Sequence, residues 1–560
     1  MGLMFICLLI YQAWVIDYSP RPEPVTENIS TDGVTDGSVS SSQTNQLTAT
    51  GDLPAANNSG DTTPAATTAA SQAQPASDNA DDTAAARISI KTDVIDATVS
   101  NIGGTLLGVN LLKYPVSLEQ QDEPFVLGSD SRERYLVAQS GLLAVGETKA
   151  APTHKEVYKA EATEYVLEEG ADTIKVPLTW ESDDGVKVIK TLTFTRDSYE
   201  VLVDYQVENN SAAAWRVNQY QQLLRKPVTK DETQKFLYTF IGGVVSTPEE
   251  RYEKYKFDEF RKEPLSIQSD GGWIAMIQHY FAAAWIPEQT ENNKFYTKYV
   301  EGSNRYLIGM ISGNKEVAAG STGSFTSKAY IGPKVQDRLA ASAPHLELTV
   351  DYGWLHMLAK PLFWLLNKIH SVIGNWGWSI IILTCMIKGV FYKLSKASYT
   401  SMARMKKLQP QLASLKERYG DDRAKMGQET MALYKKEKVN PLGGCLPMLV
   451  QIPVFIALYW MLLESVELRQ APWIGWIQDL SIKDPFFILP FIMGATMFIQ
   501  QKLNPAPVDP IQAKVFMALP VVFTVFFAFF PAGLVLYWCV NNTLSIAQQY
   551  YITRHVIGDK

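Results

Sequence analysis

At 560 residues the chain is longer than one typical domain, and 46% hydrophobic content averages a polar first half with an apolar last third. A net charge of -7 argues against a general nucleic-acid binder, so no direct nucleic-acid partner is expected. The four cysteines, Cys7, Cys385, Cys445 and Cys539, lie in or beside apolar runs. They pair by spacing neither with one another nor with the six scattered histidines, so no zinc site or disulfide framework is indicated. With no HExxH, GxSxG, Walker A or Rossmann pattern, the chain is not read as an enzyme, and no cofactor or metal is expected.

Residues 1–18, MGLMFICLLIYQAWVIDY, are apolar and lack both the basic start and the small-x-small site of a cleaved signal, so they read as an uncleaved transmembrane anchor. Residues 19–86 are Ser, Thr, Ala, Asp, Asn, Gln and Pro with hardly any large apolar side chain. Such a segment buries too little surface to offset its ordering entropy and reads as a disordered tether.

From Arg87 the period changes to two. Val186, Val188, Leu192 and Phe194 alternate with polar residues after the turn Asp183-Asp184-Gly185, and Val201, Val203, Tyr205 and Val207 alternate likewise. Repeated short strands over 87–345 predict a large all-β sandwich. Trp180, Trp215, Trp273 and Trp285 are expected in its core, with a carbohydrate cleft as the alternative use of those rings.

Residues 346–374 place Leu355, Leu358, Leu362, Leu365, Leu366 and Ile369 at helical spacing between Lys360, Lys368 and His370, which predicts an amphipathic helix lying in a membrane interface. Residues 375–393 read as a transmembrane helix, flanked by Trp376 and Trp378 and containing Lys388. A lysine at mid-bilayer costs on the order of 2.5–3.5 kcal/mol, so it either snorkels toward Lys393 or faces a polar site. The next segment, 394–440, is crowded with Lys and Arg, which makes it cytoplasmic by the positive-inside rule. Its own stripe, Met402, Met405, Leu408, Leu412, Leu415 and Tyr419, predicts a helical hairpin turning at Gly420 with Asp421 or Asp422 as the next cap.

Residues 441–552 hold the remaining apolar runs, 446–463, 485–500, 515–530 and 534–551. With the anchor they give six transmembrane helices and both termini inside, 553–560 being a cytoplasmic end. Polar residues punctuate these runs: Thr384 and Lys388 one turn apart, then Gln451, Gln500, Asn541, Asn542, Ser545 and Gln548. A solute transporter would ordinarily place paired Asp, Glu or His at mid-membrane, and none is found there. A lone cation with neutral partners suits a wet pocket that attracts acidic polypeptide.

Four stretches carry a family resemblance: TSMARMKKLQPQL (Thr400–Leu412), ALYKKEKVNPLGGCLPMLVQIPVFIALYWML (Ala432–Leu462), VELRQAPWI (Val466–Ile474) and FPAGLVLYWCVNN (Phe530–Asn542). On these the chain closely resembles the YidC family of membrane protein insertases, in the Gram-negative branch with a large periplasmic domain. The resemblance implies a polytopic α-helical inner-membrane protein with a five-helix core. Its hydrophilic groove would open to cytoplasm and lipid, with Lys388, Thr384, Gln451, Asn541 and Gln548 in it. It implies a client slide and hairpin with Met402, Met405, Leu449, Val454, Phe523 and Phe526. As partners it implies nascent membrane proteins, the Sec translocon, the translating ribosome and the phospholipid bilayer. The family usually has arginine in the groove where this chain has Lys388, and lysine keeps the charge without the planar fork. The end RHVIGDK lacks the long basic tail that some members turn to the ribosome.

Overall fold

The computed structural model describes residues 51–56, 86–227, 239–419, 422–437, 446–504 and 510–556. The expected anchor over 1–18, nearly all of the tether, the NPLGG turn and the last four residues lie outside them.

Two antiparallel sheets face each other, of eleven and nine strands among the described residues. In the first, Trp215–Arg225 lies between Tyr135–Ala144 and Arg305–Ser312. In the second, Ser321–Pro333 lies between Phe281–Pro287 and Glu200–Asn209, followed by Val186–Thr195 and Thr173–Glu181. Arg87–Lys91 against Glu164–Val166 is a parallel pairing at the edge of the first sheet. Inward residues alternate along Arg87–Lys91, Val186–Thr195 and Glu200–Asn209, while central strands such as Tyr135–Ala144 are buried on both faces, and Ile88, Leu142, Val188, Leu192, Val203, Phe295 and Met310 belong to one core. Trp215, Trp273 and Trp285 are buried in it, with indole N–H groups donating to the carbonyls of Ala150, Pro344 and Gln222, and Trp180 packs half-buried against it. These rings are core, and do not line a cleft.

The same alternation turns Lys190 inward. Its ammonium, 0% exposed, donates to Gly103 O at 2.7 Å, Gly104 O at 3.2 Å, Ser140 O at 3.3 Å and Ser140 Oγ at 3.0 Å, and lies over the Tyr205 ring. Gly103 and Gly104 both take positive φ, and a side chain on Gly103 would meet the backbone of His154 at 2.3 Å, so only glycine brings these carbonyls to the lysine. Burial holds the Lys190 pKa down to about 7. Between that value and the unfolded value of roughly 10.4 the unfolded chain binds more protons, so the contribution of this group to stability rises with pH across that window. Hydrogen exchange of Val186–Thr195, corrected for intrinsic rate, is expected to slow from pH 7 to pH 9, and Lys190→Met is expected to flatten the trend. An unchanged slope in the variant would assign the pH dependence to other groups.

After two short helices, α1 (Phe257–Lys262) and α2 (Gln336–Ser342), the chain becomes helical throughout: α3 (His356–Ile373), α4 (Trp376–Val390), α5 (Tyr392–Lys407), α6 (Gln409–Tyr419), α7 (Arg423–Lys436), α8 (Leu446–Glu464), α9 (Ile488–Leu503), α10 (Pro510–Phe527) and α11 (Ala532–Tyr551). Asp422 caps α7 by accepting the Lys425 N–H at 3.0 Å. α3 buries Ala359, Phe363 and Leu366 against α8 and α4, while Met357 and Trp364 face outward. Among the described residues no single helix is long and apolar enough to cross a membrane by itself; α4 and α5 pass that test together, bent by 68°. The apolar run expected to continue as one helix to Lys393 therefore breaks at Phe391, whose φ and ψ of -85° and 7° leave the helix. The break comes where the apolar run gives way to Lys393 and Lys396. Large apolar side chains stay exposed on the outer faces of α9 and α10, among them Phe491 (73%) and Val521 (66%), a surface suited to lipid and not to water.

The β domain is joined to the helices through a buried junction. Lys334 Nζ bonds Glu464 Oε2 at 3.1 Å and Thr349 O at 3.0 Å, both side chains almost wholly enclosed. Beside them Lys254 pairs with Asp351 at 2.9 Å. Burial, reinforced by the Lys334 charge, holds the His279 pKa down to about 3. The ring is thus neutral and donates through Nε2 to Leu463 O at 2.9 Å.

Candidate functional site

Among the apolar helices, α11 packs against α4, α8 and α9 and carries its polar residues on the faces it turns to them. Asn541, Ser545, Gln548 and Gln549 recur at helical spacing, so one side of a largely apolar helix is lined with amides and a hydroxyl. α4 presents Thr384 and Lys388 to this side. Its approach to the loop after α8 depends on Gly377, where a Cβ would lie 2.2 Å from the Trp473 ring.

Lys388 does not reach toward Lys393. It is 5% exposed, and its ammonium donates to Ser545 Oγ at 2.8 Å. Ser545 in turn donates to Asn541 O at 2.7 Å. Among the described residues no carboxylate lies within ion-pair distance of Lys388. Gln451 of α8 donates through Nε2 to Asn541 Oδ1 at 2.9 Å. Thr384 is buried and returns its hydroxyl to Ile380 O, so it lines the site without reaching across. Gln548 is half-buried, and its Oε1 is enclosed without a hydrogen-bond partner.

Of the expected groove residues, three are thus brought together across three helices by direct bonds or a shared partner, Lys388, Gln451 and Asn541, while Thr384 lies one helical turn before Lys388 and bonds only within its own helix. Ser545 is the hub that joins them. A second polar seam joins α11 to α9, Asn542 to Thr496 at 3.4 Å and Gln549 to Asn504 at 3.3 Å.

The expected slide and hairpin residues are more scattered. Met402 and Met405 are half-buried on α5, and Phe523 is half-buried on α10. Phe526, 48% exposed, meets Phe527 edge to face and Phe530 at a tilt. Val454 is buried within the bundle and adds nothing to its outer surface. The Leu449 side chain lies outside what the structure describes. Chemically, the cluster offers an ammonium and several amides inside an apolar bundle. It can hydrate and attract an anionic group; among the described residues no trio of His, Cys, Asp or Glu is placed to hold a metal ion.

Comparison with known proteins agrees with this architecture. Residues 87–365 match the YidC periplasmic domain family, and residues 368–559 match the 60Kd inner membrane protein family. The membrane protein insertase YidC of Thioalkalivibrio sulfidiphilus is 51% identical over 99% of this chain and 97% of its own length. That of Nitrosococcus oceani is 54% identical over 84% of this chain and 85% of its own. That of Methylococcus capsulatus is 47% identical over 98% and 95%. With a β domain and an apolar helical bundle matched in order and nearly end to end, the chain belongs to the YidC family of membrane protein insertases.

Proposed function

We propose that the protein inserts and folds integral inner-membrane proteins, alone or with the Sec translocon, and that the Lys388 cluster is the groove that receives them. The observation that carries this reading is a buried ammonium bonded to Ser545 with no carboxylate beside it among the described residues, inside a multi-pass helical protein. Lys388 draws the acidic outer segment of a client out of the cytoplasm, while Gln451, Asn541 and Gln548 replace part of its water. The client's apolar helix then passes along α8 and α10 into lipid, past Phe523 and Phe526. No covalent chemistry is involved. In this reading the six spans form an anchor and a five-helix core with both termini in the cytoplasm. The hairpin of α5, α6 and α7 meets clients and the translating ribosome, and α3 rests in the outer leaflet.

The test is crosslinking of a nascent single-span client to single cysteines at Thr384, Gln451 and Val521 in native membranes. Crosslinks at Thr384 and Gln451 are expected while the client is held, with Val521, on the outer face, labelled only later. Early crosslinks at Val521 alone would place the client on the lipid surface and overturn the groove.

A further inference from the structure

A cleft of about 390 Å³ opens between the β domain and the loop that joins α8 to α9, within the range of roughly 300–1,000 Å³ of ligand pockets and at the kind of domain junction where they concentrate. Arg469 of that loop reaches into it. Its Nη2 donates to Pro115 O at 2.6 Å and Val116 O at 2.9 Å, and the guanidinium lies 5.8 Å from the Phe125 and Phe281 rings, which stack on each other at 4.1 Å. Gln470 adds a bond to Pro115 O at 3.0 Å. The arginine is held in place by carbonyls and rings, which leave its remaining donors unused.

Arg469 is only half exposed, yet among the described residues no carboxylate lies within ion-pair distance of it. Asp479, which lines the same cleft and whose charge acts on Arg469 without forming an ion pair, spends Oδ1 on the Ser481 N–H and hydroxyl, each at 2.7 Å. Arg225 and Lys226 add positive charge to the cleft from the β domain, while Glu119 and Glu133 stand exposed at its rim. A guanidinium fixed against aromatic faces with donors to spare is matched by a carboxylate, which it binds through parallel hydrogen bonds. The two rim carboxylates repel a densely anionic ligand such as an anionic bilayer surface, but admit a single carboxylate flanked by neutral residues. The apolar walls suit the neighbouring side chains of such a peptide.

We propose that this cleft is a second polypeptide site, on the outer side of the membrane, which takes a carboxylate-bearing segment of a client after it has left the Lys388 groove. The assignment rests on the insertase reading for the identity of its ligand. The loop that carries Arg469 also leads from the helix of Gln451 to α9, so release from the groove and capture outside lie along one continuous stretch of chain.

The full chain in nanodiscs of neutral phosphatidylcholine is titrated with a labelled ten-residue peptide of Ser, Gly and Leu containing one Asp, and with its Asn analogue. The Asp peptide is expected to bind about tenfold tighter, the size of effect a charge-assisted hydrogen bond supplies. Arg469→Gln is expected to abolish the difference and Arg469→Lys to restore part of it. Glu119→Gln with Glu133→Gln, both at the exposed rim, is expected to tighten binding of the Asp peptide without disturbing the fold. Equal binding of the two peptides, a preference that survives Arg469→Gln, or no response to the rim variant overturns the site. Displacement of the peptide by nanodiscs containing phosphatidylglycerol, with no preference for Asp, would assign the cleft to lipid instead. Lys388→Gln separates the two readings: lost insertion with the Asp preference intact upholds both sites as independent, and normal insertion with the preference intact removes the groove alone.

Discussion

Lys388→Glu slows insertion of a single-span client with an acidic outer segment at least tenfold in reconstituted vesicles, and slows the same client with a neutralised segment far less. The wild-type ammonium sits on Ser545 Oγ with no carboxylate within ion-pair distance among the described residues, so the reversed charge would face an incoming acid directly. At an effective dielectric of about 20, like charges some 4 Å apart repel by roughly 4 kcal/mol, well above the 1.4 kcal/mol that makes a factor of ten. Part of this is lost if the new carboxylate takes up a proton, which is why the expected effect is set lower. Lys388→Arg is expected to insert both clients normally, since it keeps the positive charge. Were both clients to insert at the wild-type rate with Lys388→Glu, in protein of normal yield and orientation, the buried position of the lysine would be a matter of packing only.

Glu464→Gln lowers the thermal midpoint of the purified protein by several degrees, and adding Lys334→Met recovers most of the loss. Removing one partner from a buried ion pair leaves the other charge without compensation and costs on the order of 3–5 kcal/mol, whereas replacing both is often close to neutral. In the single variant Lys334 would keep only neutral acceptors, the Thr349 carbonyl and the new amide oxygen, with no negative charge to balance it. The pair joins the end of the β domain to the outer end of α8, the helix whose other end carries Gln451, so the loss should be local. Hydrogen exchange should rise first in Ser321–Pro333 and around Thr349, with Val186–Thr195 unchanged. A double variant as unstable as the single one would show that the pair holds no special place, and that Lys334 and Glu464 act through packing. A β domain seated on helix α8 by such a junction is not a free module on a tether, whatever the length of the segment before it.

Much of this protein is written in short-range pattern. Period two over 186–207 and period 3.6 from 355 onward separate the sheets from the helices, because alternation and helical spacing are properties of neighbouring residues. The core role of Trp273 and Trp285 was readable for the same reason, as was the cap at Asp422. Lys190 shows where that reading stops. It occupies an inward position of the strand Val186–Thr195, yet nothing nearby in sequence announces the carbonyls of Gly103 and Gly104 that make the position tolerable.

By itself the sequence determined the order of parts, the membrane character of the last third, and a set of polar residues out of place in apolar runs, Lys388 first among them. Only the tertiary structure decided which of them meet. Lys388 and Ser545 are 157 positions apart, Gln451 and Asn541 90, and Lys334 and Glu464 130. Each pairing depends on how helices or sheets cross, and on breaks such as the 68° bend after Val390. A periodic pattern shows which face of an element is apolar; it carries no information on what that face will touch, because the partner is chosen by packing across the whole chain.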